Sequence, residues 1–441
     1  MMNELFVKRF KEYFGDYYDD FIKVINEPSS KALYLNAEKA DPELIIKEID
    51  FPLVQTGFND LSRCYEYDGI GHHPSYELGL VYPQEPSAAF TASFANTDNI
   101  RLCVDMCAAP GGKSINIKHR LPGDCLLVSN EINYKRATIL SQNLERCGIN
   151  DNVIITNKDG KGLAKQFKNL ADLVILDAPC SGEGMIRKYQ EIIDDYSLEK
   201  INECAKIQKE LLENAYEMLK KGGELLYSTC TYAFEEDEEQ ILSFLMTHQD
   251  MKLVELPFSG INPSRLQGTI KLSPLNKTEG QFIALLKKDG ELAASSYKYE
   301  KSIANKLADD FIKENLAIDD YYLYLLDDTY YLSLMPLLKI DRNVLKYGIE
   351  VGKITKGRFE PSHGFYRSNI LAKLFKRCIE LNAKDYHDYV AGLELPFDVE
   401  NGYYLVKYHG YSVGFGKCTG GRLKNKYPKG LRQVYNSNKG E

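Results

Sequence analysis

The sequence predicts an α/β protein whose centre is an open, mostly parallel sheet with helices on both faces. Between about Asn99 and Lys288, short apolar runs that end in polar or Gly-rich turns alternate with segments of helical periodicity. Such short apolar runs are typical of strands that are buried on both faces. Strands that alternate with helices indicate βαβ units and hence a parallel sheet.

The elements follow one another along the chain. Residues 1–75 begin with apolar residues at helical spacing, from Leu5 to Tyr17, and predict a small, mainly helical N-terminal unit. The central region 76–290 contains the predicted strands RLCVDMC, CLLVSNEI, NVIITNKD, ADLVILDAPC and GGELLYSTC, and later QFIALLKK. The segments NYKRATILSQNLERCG and LEKINECAKIQKELLENAYEMLKKGG predict helices between them, the second ending at Lys-Lys-Gly-Gly.

After about residue 295 the alternation stops, and we predict two further units, 295–375 and 383–441. The second contains glycines and alternating apolar residues that favour a small β-rich fold. From Gly402 to the end it has eight Lys or Arg against one acid, whereas the whole chain carries a net charge of −8. This basic end is either a solubilising tail or a surface that contacts phosphates, while the overall charge argues against indiscriminate coating of nucleic acid.

Composition excludes several classes of protein. The ten cysteines include no C-x-x-C pair, and the charged N-terminus has no apolar signal core. We therefore expect reduced thiols in a cytoplasmic protein, with neither a disulfide scaffold nor a metal site. The adjacent His72 and His73 are interpreted as loop surface, since no third ligand is indicated. No apolar stretch has the length of a membrane helix.

The first predicted strand leads into DMCAAPGGKS, whose Gly-Lys-Ser ending resembles that of a nucleotide phosphate loop. Such a loop requires a glycine five positions before Gly112, where this chain has Cys107. The sequence also has no coherent set of magnesium ligands. An NTPase is therefore disfavoured.

Ligands of an open parallel sheet bind at the carboxyl ends of its strands. In this sequence those ends carry the Gly-rich loop and three acids, namely Glu131, Asp159 and Asp177. An acid about 20 residues after a Gly-rich loop is the usual partner of a ribose diol, so Glu131 indicates a nucleoside cofactor. Each acid alone could instead be a helix N-cap. Because acids occur at three successive strand ends, helix capping is a poor explanation for the set.

Two of the strand ends also carry a cysteine, Cys180 and Cys230. Buried structural thiols are the alternative, but both lie in polar loops of small residues. No histidine lies in these loops, so a Cys–His hydrolase has little support. A nucleoside cofactor, a reactive thiolate, an acid and a second thiol are what methylation at carbon 5 of a pyrimidine requires.

Three motifs then give a specific resemblance. DMCAAPGGKS, LDAPCSGEGMIRK and YSTCTYAFEEDEEQI, in this order and spacing, resemble the successive motifs of the Nol/Nop/Sun family of RNA (cytosine-5)-methyltransferases. With YPQEPSAA before them and GRFEPSH and GGRLKNKYPKGLR after them, almost the whole chain is similar to the RsmF-type branch, which modifies small-subunit ribosomal RNA.

The resemblance implies a Rossmann-like core of seven mostly parallel strands that binds S-adenosylmethionine, with a small N-terminal extension and small C-terminal RNA-binding domains, the last PUA-like. It implies that Glu131 holds the ribose with Arg136 nearby, that Asp159 meets the adenine, and that Asp177 faces both cofactor and cytosine. Cys230 becomes the nucleophile and Cys180 the helper in product release, although the residues alone leave the order of the two thiols open. The implied cofactor loop consists of Cys107, Ala108, Ala109, Pro110, Gly111, Gly112 and Lys113.

On the substrate side, Asn276 and Gln281 depart from the family pattern, which leads us to expect His and an aromatic residue there. Because a cytosine must leave its stack to react, flanking contacts are needed. Tyr427 is interpreted either as a stacking platform for a base or as part of a small β core. The candidate RNA-contacting residues are Lys417, Arg422, Lys424, Lys426, Lys429 and Arg432.

The expected substrate is 16S ribosomal RNA within the 30S subunit, modified by a monomer. Transfer RNA is the alternative substrate, and a catalytically silent assembly factor is the alternative function. The branch assignment rests on analogy.

Overall fold

The structure, a computed structural model, describes residues 3–29, 31–58, 60–258, 260–261, 264–292 and 296–432. Residues 433–441 of the predicted C-terminal domain lie outside the described residues. None of the helices in these ranges combines the length and the apolar character that a membrane crossing requires.

The N-terminal part combines helices with an antiparallel sheet. Its elements are α1 (Glu4–Phe14), α2 (Tyr18–Ile25), β1 (Lys31–Leu35), α3 (Pro42–Lys47), β2 (Val54–Gln55), β3 (Ser62–Tyr65), α4 (Pro74–Glu77), β4 (Val81–Pro83) and α5 (Pro86–Thr91). The prediction of a mainly helical unit is correct for α1 and α2 and wrong for the segment after α2, because β2, β3, β1 and β4 form a four-stranded sheet. The apolar run of β1 is buried along most of its length, and periodicity cannot distinguish such a run from a buried helix.

Helices α1 and α2 pack beside the region that comes after the fifth predicted strand. Phe10 and Tyr232 meet edge to face with ring centroids 5.8 Å apart, and Phe14 and Tyr232 do so at 5.3 Å. Arg9 forms an ion pair with Glu235 at 2.6 Å. The first helices therefore support the loop after Cys230 directly.

The central part contains the alternating elements that the sequence predicts. They are β5 (Leu102–Asp105), α6 (Gly112–Lys118), β6 (Leu126–Asn130), α7 (Tyr134–Arg146), β7 (Val153–Thr156), α8 (Gly160–Phe167), β8 (Ala171–Asp177), α9 (Glu191–Asp194), α10 (Leu198–Met218), β9 (Leu219–Thr229), α11 (Glu238–Thr247), β10 (Met251–Val254), β11 (Ile270–Leu272) and β12 (Gln281–Lys288). Helix α10 ends before the predicted Lys-Lys-Gly-Gly, because Leu219 already pairs with Ala171 as the start of β9.

The C-terminal part contributes two smaller sheets and one strand of the central sheet. Its elements are α12 (Lys306–Asn315), β13 (Tyr322–Leu326), β14 (Thr329–Ser333), β15 (Val344–Tyr347), β16 (Ile349–Thr355), β17 (Arg358–Pro361), α13 (His363–Arg367), β18 (Cys378–Leu381), α14 (Ala383–Val390), β19 (Leu395–Pro396), β20 (Gly402–Tyr408), β21 (Tyr411–Thr419) and β22 (Arg422–Asn425). The sheets have the orders β13-β14-β16-β17 and β18-β20-β21-β22-β19.

The central sheet has nine strands in the order β10-β12-β9-β8-β5-β6-β7-β15, with β11 paired to β12. Strands β5 to β9 run parallel, β12 is antiparallel to β9, and β10 is antiparallel to β12. The prediction of a parallel sheet is confirmed for β5 to β9, but the whole sheet is mixed, because β10, β11, β12 and β15 all pair antiparallel. The sheet also exceeds seven strands, since β11 and β15 extend it. Its strand order reverses at β5, between β6 and β8, which is where open parallel sheets bind ligands.

Both faces of this sheet are covered, as the apolar runs indicate. In β5, Leu102 and Val104 belong to one apolar cluster and Cys103 to the other, and all three are fully buried. A strand whose side chains pack alternately into two close-packed cores has a rigidly held backbone. The loops at the carboxyl ends therefore extend from a fixed base.

Arg367 connects the three parts of the chain. It is 1% exposed, and its guanidinium donates to the carbonyl oxygens of Ser412 at 2.7 Å, Glu77 at 2.6 Å and Arg146 at 2.6 Å. Burial of a charged group is tolerated when its donors are satisfied in this way. These bonds fix the N-terminal unit and the last sheet against α7.

Candidate active site at the carboxyl ends of the strands

The Gly-rich loop after β5 holds its shape through neighbouring backbone and side chains. The amide of Ala108 donates to the carbonyl oxygen of Asn130 at 2.8 Å, and Arg136 donates to the carbonyl oxygen of Ala109 at 2.8 Å. Gly111 has φ +118°, in the left-handed region that favours glycine. A Cβ on Gly112 would lie 2.7 Å from Gln84 Nε2, so a larger residue at the start of α6 would displace the Gln84 side chain.

Glu131 follows β6 with its side chain almost fully buried. Its Oε1 accepts from the backbone amide of Asn133 at 2.9 Å, and its Oε2 lies 3.3 Å from Arg136 Nη1. The carboxylate is therefore held at the edge of the sheet next to the Gly-rich loop. A fixed acceptor at this position suits a ribose diol.

Asp159 follows β7 and is exposed. Its Oδ1 accepts from the backbone amide of Gly162 at 2.6 Å, which makes it the N-cap of α8. The N-cap explanation therefore holds for Asp159. This hydrogen bond uses only one of its two carboxylate oxygens. An adenine contact by Asp159 stays a prediction.

Asp177 ends β8 and is bound on both sides. Its Oδ2 lies 2.8 Å from Lys113 Nζ, and its Oδ1 accepts from the hydroxyl of Ser228 at 2.8 Å. The Lys113 side chain is buried beside Asp177. Burial alone would lower the pKa of Lys113, but the Asp177 carboxylate raises it above its ordinary value.

The two strand-end cysteines are neighbours. Cys180 Sγ and Cys230 Sγ lie 3.2 Å apart, and both residues are partly accessible. The hydrogen bond from Cys180 and the nearby Lys113 ammonium lower the pKa of Cys230, against the opposing effects of burial and Asp177. The same hydrogen bond and burial raise the pKa of Cys180. One thiol of the pair therefore favours the thiolate and the other the neutral form.

Cys107 is a third thiol at this edge, in the Gly-rich loop. Burial and the carboxylates of Asp105, Asp177 and Glu131 raise the pKa of Cys107 above its ordinary value. This thiol therefore stays protonated and is a poor nucleophile.

A polar network that sequence reasoning did not single out holds the two cysteine loops together. Glu236 Oε2 accepts from the amide of Ser181 at 2.9 Å and from Gln208 Nε2 at 2.8 Å. Glu183 Oε2 accepts from the amide of Tyr232 at 2.9 Å and from the hydroxyl of Thr231 at 3.0 Å. Both acids are buried, and burial raises the pKa of Glu236 to about 7. The only sequence signal for Glu236 is its place in the acidic run after Cys230.

Comparison with known proteins identifies the family of this chain. The family model described as 16S rRNA methyltransferase RsmB/F matches residues 92–287, and that of the methyltransferase RsmF PUA domain matches residues 376–433. The chain belongs to the RsmB/F methyltransferase family. It is an S-adenosylmethionine-dependent RNA methyltransferase, and its predicted core and PUA-like C-terminal fold are confirmed.

Individual relatives agree with this family. Proteins named ribosomal RNA small subunit methyltransferase F from Aeromonas salmonicida and Psychromonas ingrahamii are 28% and 29% identical, over 94% of this chain and 93% of theirs. Among solved structures, a methyltransferase homolog protein from Pyrococcus horikoshii is 26% identical with a TM-score of 0.57, covering 65% of this chain and 95% of that one. NSun6 from the same organism has the same TM-score at 20% identity, over 66% of this chain and 99% of that one, and shows the fold alone.

In this RsmB/F-family chain, residues of the motif YPQEPSAA form hydrogen bonds with the loops that carry the site. Gln84 and Asn116 exchange two hydrogen bonds, at 2.8 and 2.9 Å, beside the start of α6. Glu85 caps α5 through the amide of Ser87 at 2.8 Å and also accepts from the amide of Glu279 at 2.8 Å. The motif thereby links the Gly-rich loop to the loop before β12.

The two departures from the family pattern lie in or near that second loop. Asn276 Oδ1 accepts from the amide of Ser273 at 3.1 Å within a capping box, so it orders a short turn. Gln281 begins β12 and is 2% exposed, and its Nε2 has no hydrogen-bond partner among the described residues. Arg187 and Glu279 form an ion pair at 2.6 Å next to this turn. A substrate role for either departure stays a prediction.

The predicted RNA-contacting residues of the methyltransferase lie on its last hairpin and beyond it. Lys417 in β21 stands opposite Lys424 in β22, and both are exposed, as is Arg422. We call β21 and β22 with these three side chains the basic hairpin. Lys426, Lys429 and Arg432 come after it and are also exposed. The structure therefore shows these residues as exposed cations on and after the last hairpin, and their contact with RNA stays a prediction.

Tyr427 lies in the core of the last sheet. It is 2% exposed, and its hydroxyl donates to Glu77 Oε1. Of the two interpretations of this residue, the structural one is correct, and a base cannot stack on a ring that is already covered. The alternation of exposed lysines with Leu423 and Tyr427 is the signal that could have indicated this.

Proposed function

We propose that this methyltransferase transfers a methyl group to carbon 5 of a cytosine in 16S ribosomal RNA through a covalent adduct between Cys230 and the base. The observation that carries the proposal is the pair of thiols 3.2 Å apart beside the Asp177–Lys113 ion pair. A nucleophile, a second thiol and an acid at one strand edge are the groups that this reaction requires.

The residues at the edge fit the cofactor. The Gly-rich loop Cys107–Lys113 follows β5 at the carboxyl edge of the sheet, where open parallel sheets bind their ligands. We assign Glu131 to the ribose, with Arg136 beside it, and Asp159 to the adenine side. When bound, S-adenosylmethionine supplies the electrophilic methyl group.

The residues then activate the cytosine. The Cys230 thiolate adds to carbon 6 and forms a C–S bond, while a protonated Asp177 gives its proton to ring nitrogen 3. Asp177 thereby becomes the carboxylate that pairs with Lys113, and it takes the proton back from nitrogen 3 when the product is released. The electron pair of the 5,6 double bond moves onto carbon 5, which becomes nucleophilic and takes the methyl group. Lys113 holds Asp177 at 2.8 Å and favours the Cys230 thiolate electrostatically.

Release requires the proton on carbon 5 to leave. A base takes this proton, the electron pair restores the 5,6 double bond, the C–S bond breaks, and Cys230 leaves as a thiolate. We assign assistance in this step to Cys180, whose Sγ lies next to that of Cys230. The opposite order of roles is less well supported, because the lowered pKa belongs to Cys230 and the raised one to Cys180.

The substrate assignment rests on the relatives, which are named for the small ribosomal subunit RNA, and on the basic C-terminal residues. We extend it to a cytosine within the 30S subunit, reached by a monomer whose N-terminal and C-terminal parts flank the core.

The test is methyl transfer from labelled S-adenosylmethionine to unmodified 30S subunits, naked 16S RNA and bulk transfer RNA. The products are mapped by mass spectrometry of nuclease fragments. We expect label at one or a few cytosines of 16S RNA, as 5-methylcytosine.

Two results would contradict the proposal. Label in transfer RNA alone would retain the chemistry and replace the substrate. Bound cofactor with no label in any RNA would leave the silent assembly factor as the function.

A further inference from the structure

An open groove with a basic rim lies beside the methyltransferase core, and none of its lining residues belongs to the basic hairpin. It has a volume of about 900 Å³ and runs between α8 on one side and residues 296–298 and 338–342 on the other. Its charged lining residues are Lys158, Lys165, Lys298, Lys339, Arg342 and Asp341. Five cations therefore face one acid in a chain whose net charge is −8.

These cations outnumber the acids near them, since Asp341 in the groove and Asp159 beside it are the carboxylates that favour the charged form of Lys158. None of the five forms a salt bridge with a described carboxylate, whereas buried Lys113, Lys220 and Lys271 each do. Lys158 is only 8% exposed, and burial lowers its pKa. A cluster of like charges that outnumbers its counter-ions is electrostatically unfavourable until an anion occupies it.

Hydrogen bonds between its two walls fix the shape of the groove. Gln166 on α8 donates to the carbonyl oxygen of Lys339 at 3.1 Å and accepts from the amide of Asp341 at 3.2 Å. The amide of Lys339 donates to the carbonyl oxygen of Lys298 at 2.8 Å. The two walls are thus held together, and apolar side chains of Phe167, Leu170 and Leu338 lie between them.

One end of the groove reaches the carboxyl edge of the central sheet. The amide of Asn157, directly after β7, donates to the carbonyl oxygen of Asn343 at 2.8 Å. Strand β7 is separated from β9, which carries Cys230, by β8, β5 and β6. At a strand spacing of about 4.8 Å, the groove begins roughly 20 Å from the thiols along the same edge.

We propose that this groove binds the phosphodiester backbone of a single-stranded segment of the RNA substrate, on the opposite side of the cofactor loop from the thiols. The cationic rim suits phosphates, and the apolar floor suits riboses or bases. The proposal rests on the proposed function, since it takes the substrate to be RNA. It adds a second contact surface that the sequence of the C-terminal end does not indicate.

The test compares two charge-reversed variants of the full chain. K165E/K339E changes two exposed rim residues, and K161E/K168E makes the same charge change with two exposed lysines of the α8 segment that do not line the groove. Affinity for naked 16S RNA and for 30S subunits is measured at several KCl concentrations without cofactor. S-adenosylmethionine affinity and KM for RNA are measured alongside.

We expect K165E/K339E to weaken binding of naked RNA roughly tenfold at low salt. The plot of log affinity against log salt should become less steep, its negative slope decreasing in magnitude by about 1.4 for two phosphate contacts on a single strand. KM should rise while kcat at saturating RNA and cofactor affinity stay unchanged, and the control should change binding much less. K165Q/K339Q serves if the reversed variant does not fold.

Equal effects of the rim variant and its control would overturn the inference. A loss of affinity for 30S subunits with unchanged binding of naked RNA would also overturn it, in favour of a protein partner of the groove. Failure of the proposed function has a different signature, because wild-type protein would then bind RNA through the groove without methylating it.

Discussion

The strand-end site of Lys113, Asp177, Cys180 and Cys230 and the basic hairpin are built in opposite ways. In the site, neighbouring atoms lie at 2.8 Å for Lys113–Asp177 and 3.2 Å for the two sulfurs, and buried acids hold the loops behind them. In the hairpin, the cations are exposed, and the ion pair of Arg422 with Glu394, at 3.6 Å, is itself solvent-exposed and hence weak. Covalent chemistry requires groups that are placed in advance, whereas attraction of a polyanion requires charge that is free to reach it.

The sharpest test of this contrast removes the proposed nucleophile. C230A should lower kcat by roughly 10⁴-fold or more, as loss of a nucleophile does in other enzymes, and should abolish any adduct between protein and RNA that survives denaturation. RNA affinity and its salt dependence should stay as in the wild type, because the hairpin is intact. C378A, which removes an exposed thiol of β18, is the control. Retention of turnover in C230A would refute the assignment.

Replacement of the neighbouring thiol should separate the two cysteines. C180A should lower kcat by roughly 10²-fold to 10⁴-fold, the range of a lost general acid or base. If release fails before addition does, the RNA–protein adduct accumulates, and denaturing gel electrophoresis with labelled RNA detects it. An adduct trapped by C230A instead of C180A would reverse the two roles.

The ion pair in the site predicts a dependence on pH. In K113M the Cys230 thiol loses a cation that lowers its pKa, so its pKa rises and less thiolate is present near neutral pH. Activity near neutral pH should fall by roughly 10²-fold and recover as pH rises, because a thiol below its pKa gains about tenfold in thiolate per pH unit. K113R retains the charge and should retain the acid limb of the kcat profile. A loss in K113M that is equal at all pH values would assign Lys113 to packing alone.

The smallest effect is expected at the hairpin. R422E/K424E should weaken RNA binding about tenfold and reduce its salt dependence, since each change removes a contact with phosphate. Cofactor affinity and kcat at saturating RNA should stay the same. K306E/K313E on α12 makes the same charge change elsewhere on the surface. RNA affinity in R422E/K424E equal to that of this control would show that the hairpin is only a solubilising surface.

The strand-end residues could be predicted because each is fixed by local sequence. Parallel strands of known order bring the ends of β5, β6, β8 and β9 to one edge, so Cys180 and Cys230 had to approach each other once the strands were assigned. The contact of Lys113 with Asp177 and the network of Glu236 and Glu183 depend on side chains from separate loops. Nothing in the spacing of these residues encodes such contacts.

Long-range pairing explains the other errors. Strand β15 joins β7 although almost 190 residues separate them. The local alternation, which predicts six strands, and the resemblance, which implies seven, therefore both miss this pairing. Tyr427 was open to two interpretations because its partner, Glu77 at the end of α4, lies 350 residues away in the sequence. The four-stranded sheet around β1 depends on β4, which the sequence placed in another domain.

The pairing of β15 with β7 bears on how the molecule can be divided. A chain ended at residue 290 would leave β7 as a bare edge of short, apolar sequence, with its amides and carbonyls open to a second chain. Exposed edges of this kind seed intermolecular strand addition. Expression of residues 1–290 alone should therefore give aggregates rather than a small active enzyme, because β15 covers this edge in the full chain.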